Sequence, residues 1–184
     1  MNAPTRITPG GRIDESRERR PARIAVLTVS DTRDATTDTS GDVLCERIAS
    51  DGHTLVARTI VPDFIDAIRF QVRQWIEHED VQVIVTTGGT GLTGRDVTPE
   101  ALEPLFSKRI DGFSVAFHLV SYQSVGTSTI QSRATAGVID GCLVFCLPGS
   151  NGAVKDGWSV IGPQLDTRHA PCNLIEIMPR LLER

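Results

Sequence analysis

The sequence predicts an α/β fold, a three-layer sandwich whose mostly parallel central sheet carries helices on both faces. Three observations predict it. Residues 24–29, 81–85 and 142–147 are short apolar runs, as expected of strands buried on both sides. Apolar residues at helical spacing lie between them, most clearly Ile65, Ile68, Val72, Trp75 and Ile76. Each run also gives way to small polar residues and then to a helix start, the alternation that builds a parallel sheet.

In chain order, residues 1–21 are polar and unpatterned, with Arg12, Arg17, Arg19 and Arg20 among prolines and glycines; they are expected as a flexible tail, and residues 22–184 as one domain. The first strand runs out into Ser30 and Asp31. A turn-rich loop follows, then a helix opened by Thr39-Ser40-Gly41-Asp42, turning Leu44 and Ile48 inward and ending at Asp51-Gly52. Residues 53–61 alternate as a strand, with Leu55, Ala57 and Thr59 on one face and Val56 on the other, and Pro62 stops it. Asp63 heads the next helix, where an N-cap is the commonest task of an aspartate. After the central strand, Thr98 is expected to cap a helix that has Pro99 in its first turn and carries Leu102, Leu105 and Phe106. A helix after Asp111-Gly112 should bring Val115, Ala116, Leu119 and Val120 inward, and residues 126–134 read as a turn entering a short helix. The last core strand opens into a helix bearing Val154, Trp158 and Ile161. A proline-rich connection then leads to a short helix through Leu174, Ile177 and Leu181.

Composition narrows the function classes. A chain of 184 residues suits one domain with a substantial core. The net charge of −4 disfavours a nucleic-acid partner, which would call for a basic face. No apolar run is long enough to span a membrane and the N-terminus lacks a signal-peptide core, so a cytoplasmic protein is expected. Cys45, Cys142, Cys146 and Cys172 form no metal-binding pair and read as reduced, with Cys142 and Cys146 on one face of a buried strand. His53, His78, His118 and His169 have no ligand spacing.

The stretch 81–98 organises the rest. An apolar strand breaks into Thr86-Thr87-Gly88-Gly89-Thr90-Gly91 and a helix begins only at Thr98-Pro99, an arrangement that brings backbone N–H groups against an anion. Residues 89–94 match the GxGxxG of nicotinamide-binding proteins, but the helix starts too late and no strand-ending acid follows. Arg95-Asp96 also stands where a nucleotide-triphosphate loop needs Lys and Ser or Thr. The second small-residue loop, Pro148-Gly149-Ser150-Asn151-Gly152, again follows a buried strand, and the pair suggests one shared anion pocket. Ser30 and Asp31 are candidate contacts or turn caps. Arg133 is a phosphate or loop clamp, or a surface ion-pair partner.

These residues resemble a known family. Residues 86–91, followed by Arg95-Asp96-Val97-Thr98-Pro99-Glu100-Ala101, look like the molybdopterin-binding domain, and Leu147-Pro148-Gly149-Ser150 is similar to its second pocket loop. Val29-Ser30-Asp31, Thr39-Ser40-Gly41 and Val61-Pro62-Asp63 fall in matching order. The likeness covers residues 23–172. Residues 126–134, with Pro163-Gln164-Leu165-Asp166 and Pro171-Cys172-Asn173, point to the protein B branch of molybdenum cofactor biosynthesis.

The resemblance implies adenylylation of molybdopterin by MgATP with release of pyrophosphate. It implies a homo-oligomer, trimer or hexamer, working beside other proteins of that pathway. Asp63 and Asp96 match the critical aspartates and would hold Mg2+, directly or through water. Thr87, Gly88, Gly89, Thr90 and Gly91 would contact substrate and phosphate from the first loop, and Pro148, Gly149 and Ser150 from the second. Ser30, Asp31, Ser40 and Arg133 complete the expected site, with Asp31 toward the nucleotide. Transfer between two phosphates needs charge neutralisation and positioning more than a general base. The alternative is a protein that binds or passes on molybdopterin without catalysis and has no use for the Asp63 carboxylate.

Overall fold

Side chains alternate across the central strands, and each face of the sheet has its own core. The computed structural model describes residues 11–78 and 80–183. Its strands are β1 (Arg12–Ile13), β2 (Arg23–Val29), β3 (Thr54–Val61), β4 (Val83–Thr87), β5 (Lys108–Arg109), β6 (Thr135–Ile139), β7 (Cys142–Leu147) and β8 (His169–Ala170). Its α-helices are α1 (Thr39–Ser50), α2 (Ile65–His78), α3 (Thr98–Leu102), α4 (Asp111–Val125), α5 (Asn151–Leu165) and α6 (Leu174–Ile177). The six-stranded sheet has the order β3-β2-β4-β7-β6-β5. β3, β2, β4 and β7 run parallel, while β6 and β5 add an antiparallel edge.

Ile24, Val26, Val83, Val85, Leu143 and Phe145 meet Leu44, Ile48, Phe113, Phe117 and Trp158 from α1, α4 and α5. On the other face Ala25, Leu27, Ile84, Val144 and Cys146 meet Ile68, Val72 and Trp75 of α2 and Leu102 of α3. The expected sandwich is therefore present, with Cys142 and Cys146 buried on one face and all four cysteines free. Burial pushes both buried thiols up to about 12.

Four expectations are corrected. Residues 11–21 do not hang free: β1 pairs with β8, Asp14 N–H donates to the Arg168 carbonyl at 2.9 Å, and Glu15 pairs with Arg168 at 3.0 Å. Arg17 and Arg19, two of the charges that suggest a solvated tail, pair with Glu176 and Asp166 of the C-terminal segment; residues 1–10 of that expected tail lie outside the described residues. The simple alternation in β3 fails because the register shifts beside Ile24 and Ala25, so that Val56 and Ala57 both pack on the α2 side and Leu55 is exposed. The inward stripe of α4 is Phe113, Phe117 and Ser121, while Val115 and Leu119 face outward. Thr98 opens α3 without capping it, because its hydroxyl is used elsewhere.

The turn-rich loop after β2 conceals a buried charge. Asp38 is fully buried, caps α1 by accepting from Gly41 N–H at 2.9 Å, accepts from the Thr28 hydroxyl at 2.7 Å and pairs with Arg58 at 2.9 Å. Burial pushes its carboxyl up, but the hydrogen bonds from Arg58, Thr28 and Gly41 prevail and hold it below the usual carboxylate range. A lowered native pKa stabilises the fold above the unfolded value and ceases to do so as pH falls through the native one. Asp38→Ala is expected to cost about 2 kcal/mol at neutral pH, part of the penalty for an orphaned ion being relieved because Arg58 reaches solvent. Urea unfolding should show that gap narrowing as the buffer is taken below the ordinary aspartate range.

Candidate active site

Strand order reverses between β2 and β4: the chain steps outward from β2 to β3, then returns to the other side of β2 with β4. In an open parallel sheet, ligands bind beyond the carboxyl ends of the strands at such a reversal. The expected loops all leave that edge, since Val29 lies level with Val61, Thr28 with Thr87, and Thr87 with Leu147. Thr87 Oγ1 donates to the Pro148 carbonyl at 3.1 Å and Gly88 N–H to the Leu147 carbonyl at 3.0 Å, joining the two small-residue loops. Thr98 pins the glycine loop from the other side: its hydroxyl donates to the Gly88 carbonyl and its N–H to the Gly89 carbonyl, both at 2.9 Å.

Asp31 and Asp63 clasp each other through their backbones. Asp31 N–H donates to Asp63 Oδ2 at 2.9 Å and Asp63 N–H to Asp31 Oδ1 at 3.0 Å. Asp63 lies two residues before α2 and spends Oδ2 on this clasp; its other oxygen, Oδ1, lies 3.2 Å from where a Cβ on Gly89 would stand. Burial pushes the Asp63 carboxyl up; the Asp31 N–H opposes this, and the charges of Asp31 and Asp96 add to it. Asp96 is affected oppositely. Its burial is outweighed by hydrogen bonds from the Thr93 hydroxyl and N–H, 2.6 and 2.8 Å, and from Gly91 N–H, so its carboxyl sits low.

Two hollows open beside these acids, one lined by Asp31 and the other by Asp96. One, about 620 Å³, is lined by Ser30, Asp31, Arg33, Arg58 and Pro62. The other, about 500 Å³, is lined by Gly88, Gly89, Thr90, Gly91, Asp96, Pro148, Gly149 and Ser150, with Phe117, Val125 and Thr129 opposite. Among the described residues no three His, Cys, Asp or Glu side chains are grouped to hold a metal unaided. The donor set nevertheless suits magnesium, a hard ion that takes one or two carboxylates and completes its shell with phosphate oxygens and water.

The family model described as "Probable molybdopterin binding domain" matches residues 25–167. The chain belongs to the molybdopterin-binding domain family. It is 49% identical over 154 residues to molybdenum cofactor biosynthesis protein B of Escherichia coli K12, covering 83% of this chain and 91% of that one. A crystal structure of molybdenum cofactor biosynthesis protein B superposes with a TM-score of 0.78 at 40% identity, covering 81% and 94% of the two chains. The tungsten cofactor synthesizing protein MoaB of Pyrococcus furiosus gives 0.72 at 37%, covering 79% and 93%.

In this member of the molybdopterin-binding domain family the residues chosen from sequence divide into three groups. Asp31, Asp63, Asp96 and both small-residue loops meet at one edge of the sheet. Ser30 and Ser150 line the hollows but also serve the backbone: Ser30 Oγ accepts from the N–H groups of Thr32 and Arg33, and Ser150 caps α5. Ser40 differs from expectation, while Arg133 takes the loop-clamp and ion-pair alternatives that the sequence leaves open beside phosphate binding. Ser40 is buried and donates to Asp38 at 3.3 Å, outside the lining of either hollow. Arg133 donates to the carbonyls of Gly91 and Asp96, each at 2.8 Å, and pairs with Glu100, so its guanidinium clamps the loop. Sequence reasoning missed Phe117, which lies on the inward side of a helix apolar on two sides, and Thr129, which is one hydroxyl in a run of them.

Proposed function

We propose that this protein acts in molybdenum cofactor biosynthesis as a molybdopterin adenylyltransferase, consuming ATP and releasing pyrophosphate. The observation that carries this reading is a pair of hollows, one lined by Asp31 and the other by Asp96 and the glycine loop, with Asp63 clasped to Asp31 and influenced by the charge of Asp96. Two substrates carrying phosphate can then meet across the acids. The hollow beside the glycine loop takes molybdopterin, with its apolar wall against the ring and the loop at the phosphate. The hollow beside Asp31 takes the nucleotide.

In this reading a phosphate oxygen of molybdopterin attacks the α-phosphorus of ATP. A new P–O bond forms as the bond to pyrophosphate breaks, and no side chain need remove a proton. Gly88, Gly89 and Gly91 let the backbone close on the phosphate, and Thr98 and Arg133 hold that backbone in place. Asp63 and Asp96 would hold Mg2+, directly or through water, and that ion would offset the negative charge of the triphosphate. Burial, with the charges of Asp31 and Asp96 added to it, disfavours the charged form of Asp63, a setting in which a divalent cation is welcome.

The deciding measurement is pyrophosphate release from purified protein given molybdopterin, ATP and magnesium. Release well above that of an Asp63→Asn/Asp96→Asn control is expected. Release no greater than the control would leave the carrier reading, a protein that binds molybdopterin without transferring to it.

The same reading includes assembly with copies of itself. α4 is apolar on both sides: Phe113 and Phe117 face the core, while Val115, Leu119 and Tyr122 are 61%, 49% and 58% exposed at one-turn steps, with Val125 beyond them. An apolar stripe of that length on a surface helix calls for a covering partner. Leu119→Asp is expected to shift sedimentation to a smaller species while circular dichroism keeps its helical signal; an unchanged sedimentation coefficient would place the interface elsewhere. Among the described residues no helix is long and apolar enough to cross a membrane.

A further inference from the structure

Three buried hydroxyls among the described residues, those of Thr86, Thr90 and Thr129, find no hydrogen-bond partner of ordinary geometry in the protein. A buried hydroxyl left alone costs free energy, so each needs a reason. Thr86 has one, because it lies level with Cys146 on β7 and faces that thiol. Thr90 and Thr129, residues 2% and 7% exposed, both line the same hollow of about 500 Å³ beside the glycine loop. They come from elements far apart in sequence, yet one frame holds both. Arg133 N–H donates to the Thr90 carbonyl at 2.9 Å, and Ser132 N–H to the Thr129 carbonyl at 3.0 Å. The Arg133 guanidinium fixes the rest of the loop. Phe117 and Val125 give the same hollow an apolar wall.

We propose that Thr129 is a specificity-determining residue, whose hydroxyl, with that of Thr90, reads the hydrogen-bonding edge of the pterin ring. This rests on the reading of the hollow as the molybdopterin pocket. A pterin is flat and weakly polar on its faces, while its edge alternates donors and acceptors; a threonine hydroxyl can serve either. An apolar slot alone discriminates poorly between flat rings. Buried hydroxyls that a wrong ring leaves unpaired turn the slot selective.

The test titrates molybdopterin, kept anaerobic, into the wild type and into Thr129→Val, Thr129→Ser and Thr90→Val, following pterin fluorescence, with thermal unfolding of each protein free of ligand. Thr129→Val keeps the shape and loses only the hydroxyl, so it is expected to bind about tenfold more weakly with an unfolding temperature no lower than the wild type's. Thr129→Ser should recover affinity to within about threefold, and Thr90→Val should lose about as much as Thr129→Val. Equal affinity in the wild type and Thr129→Val overturns the inference and leaves the pocket reading standing. A wild type that binds no molybdopterin overturns the pocket reading and this inference with it. Lost affinity that follows a lowered unfolding temperature, unrescued by serine, also overturns it, since Thr129 would then be structural.

Discussion

Asp96→Asn is expected to lower the rate of pyrophosphate release by about a hundredfold or more while leaving the Kd for molybdopterin within about threefold of the wild type's. The two effects separate because, in the proposed reaction, the carboxylate of Asp96 has two tasks. One oxygen accepts from the Thr93 N–H and hydroxyl, which shapes the loop, and an asparagine carbonyl can do the same. What asparagine cannot supply is the negative charge. If that charge serves only the triphosphate and its cation, ligand binding survives and turnover does not. Asp63→Asn is expected to behave alike, though the clasp with Asp31 makes it less clean: Asp63 Oδ2 accepts from Asp31 N–H, and an amide flipped the wrong way would present a donor there. Equal losses of affinity and turnover in Asp96→Asn would make Asp96 a binding residue and remove it from the catalytic pair.

What was legible in the sequence, and what was not, follows from the range of the interactions involved. β2, β4 and β7 announce themselves because a strand buried on both faces must be apolar along its length. The glycine and proline loops at their ends are equally local signals. β6 escaped because Gly137 weakens its run, although Asp140-Gly141 behind it is a hairpin signal that could have revealed it: both residues take positive φ, 47° and 84°, as a tight two-residue turn requires. The stripe of α4 cannot be placed from sequence, for a physical reason. A helix apolar on two sides has no preferred face until its neighbours are known, and here the phenylalanines go in while the aliphatic residues go out. Asp38 looked like one more turn residue because its partner Arg58 lies on a different strand. Ser40 reads as a ligand contact for the same reason, its acceptor Asp38 being invisible from sequence as a buried charge. The role of Arg133 could be narrowed only to alternatives, since the carbonyls it grips belong to a loop some 40 residues earlier.

The second large effect is expected at Gly88, where fold and site depend on a single missing methyl group. Its φ is +103°, in the region L side chains rarely adopt, and a Cβ there would stand 2.2 Å from the Val29 carbonyl oxygen. That oxygen cannot retreat easily, because Val29 is the buried last residue of β2, paired level with Val61 and followed by Ser30, whose N–H is bonded to the Val61 carbonyl. Gly88→Ala must therefore push the glycine loop off the end of the sheet, breaking the Thr98 hydroxyl's bond to the Gly88 carbonyl and the Gly88 bond to Leu147. A loss of about 3 kcal/mol is expected from strain and overpacking together. For a chain of this size that corresponds to an unfolding temperature lower by roughly 6–12 °C. Gly94→Ala in the same loop is the matched control: a Cβ there meets nothing within 4 Å, so it should unfold with the wild type. At a temperature where both variants remain folded, Gly88→Ala should also lose molybdopterin binding and Gly94→Ala should keep it. If Gly88→Ala proves as stable and as competent as Gly94→Ala, the loop does not lean on β2 in the way that brings its N–H groups and Asp63 to one place, and the anion pocket must be sought elsewhere on the sheet edge.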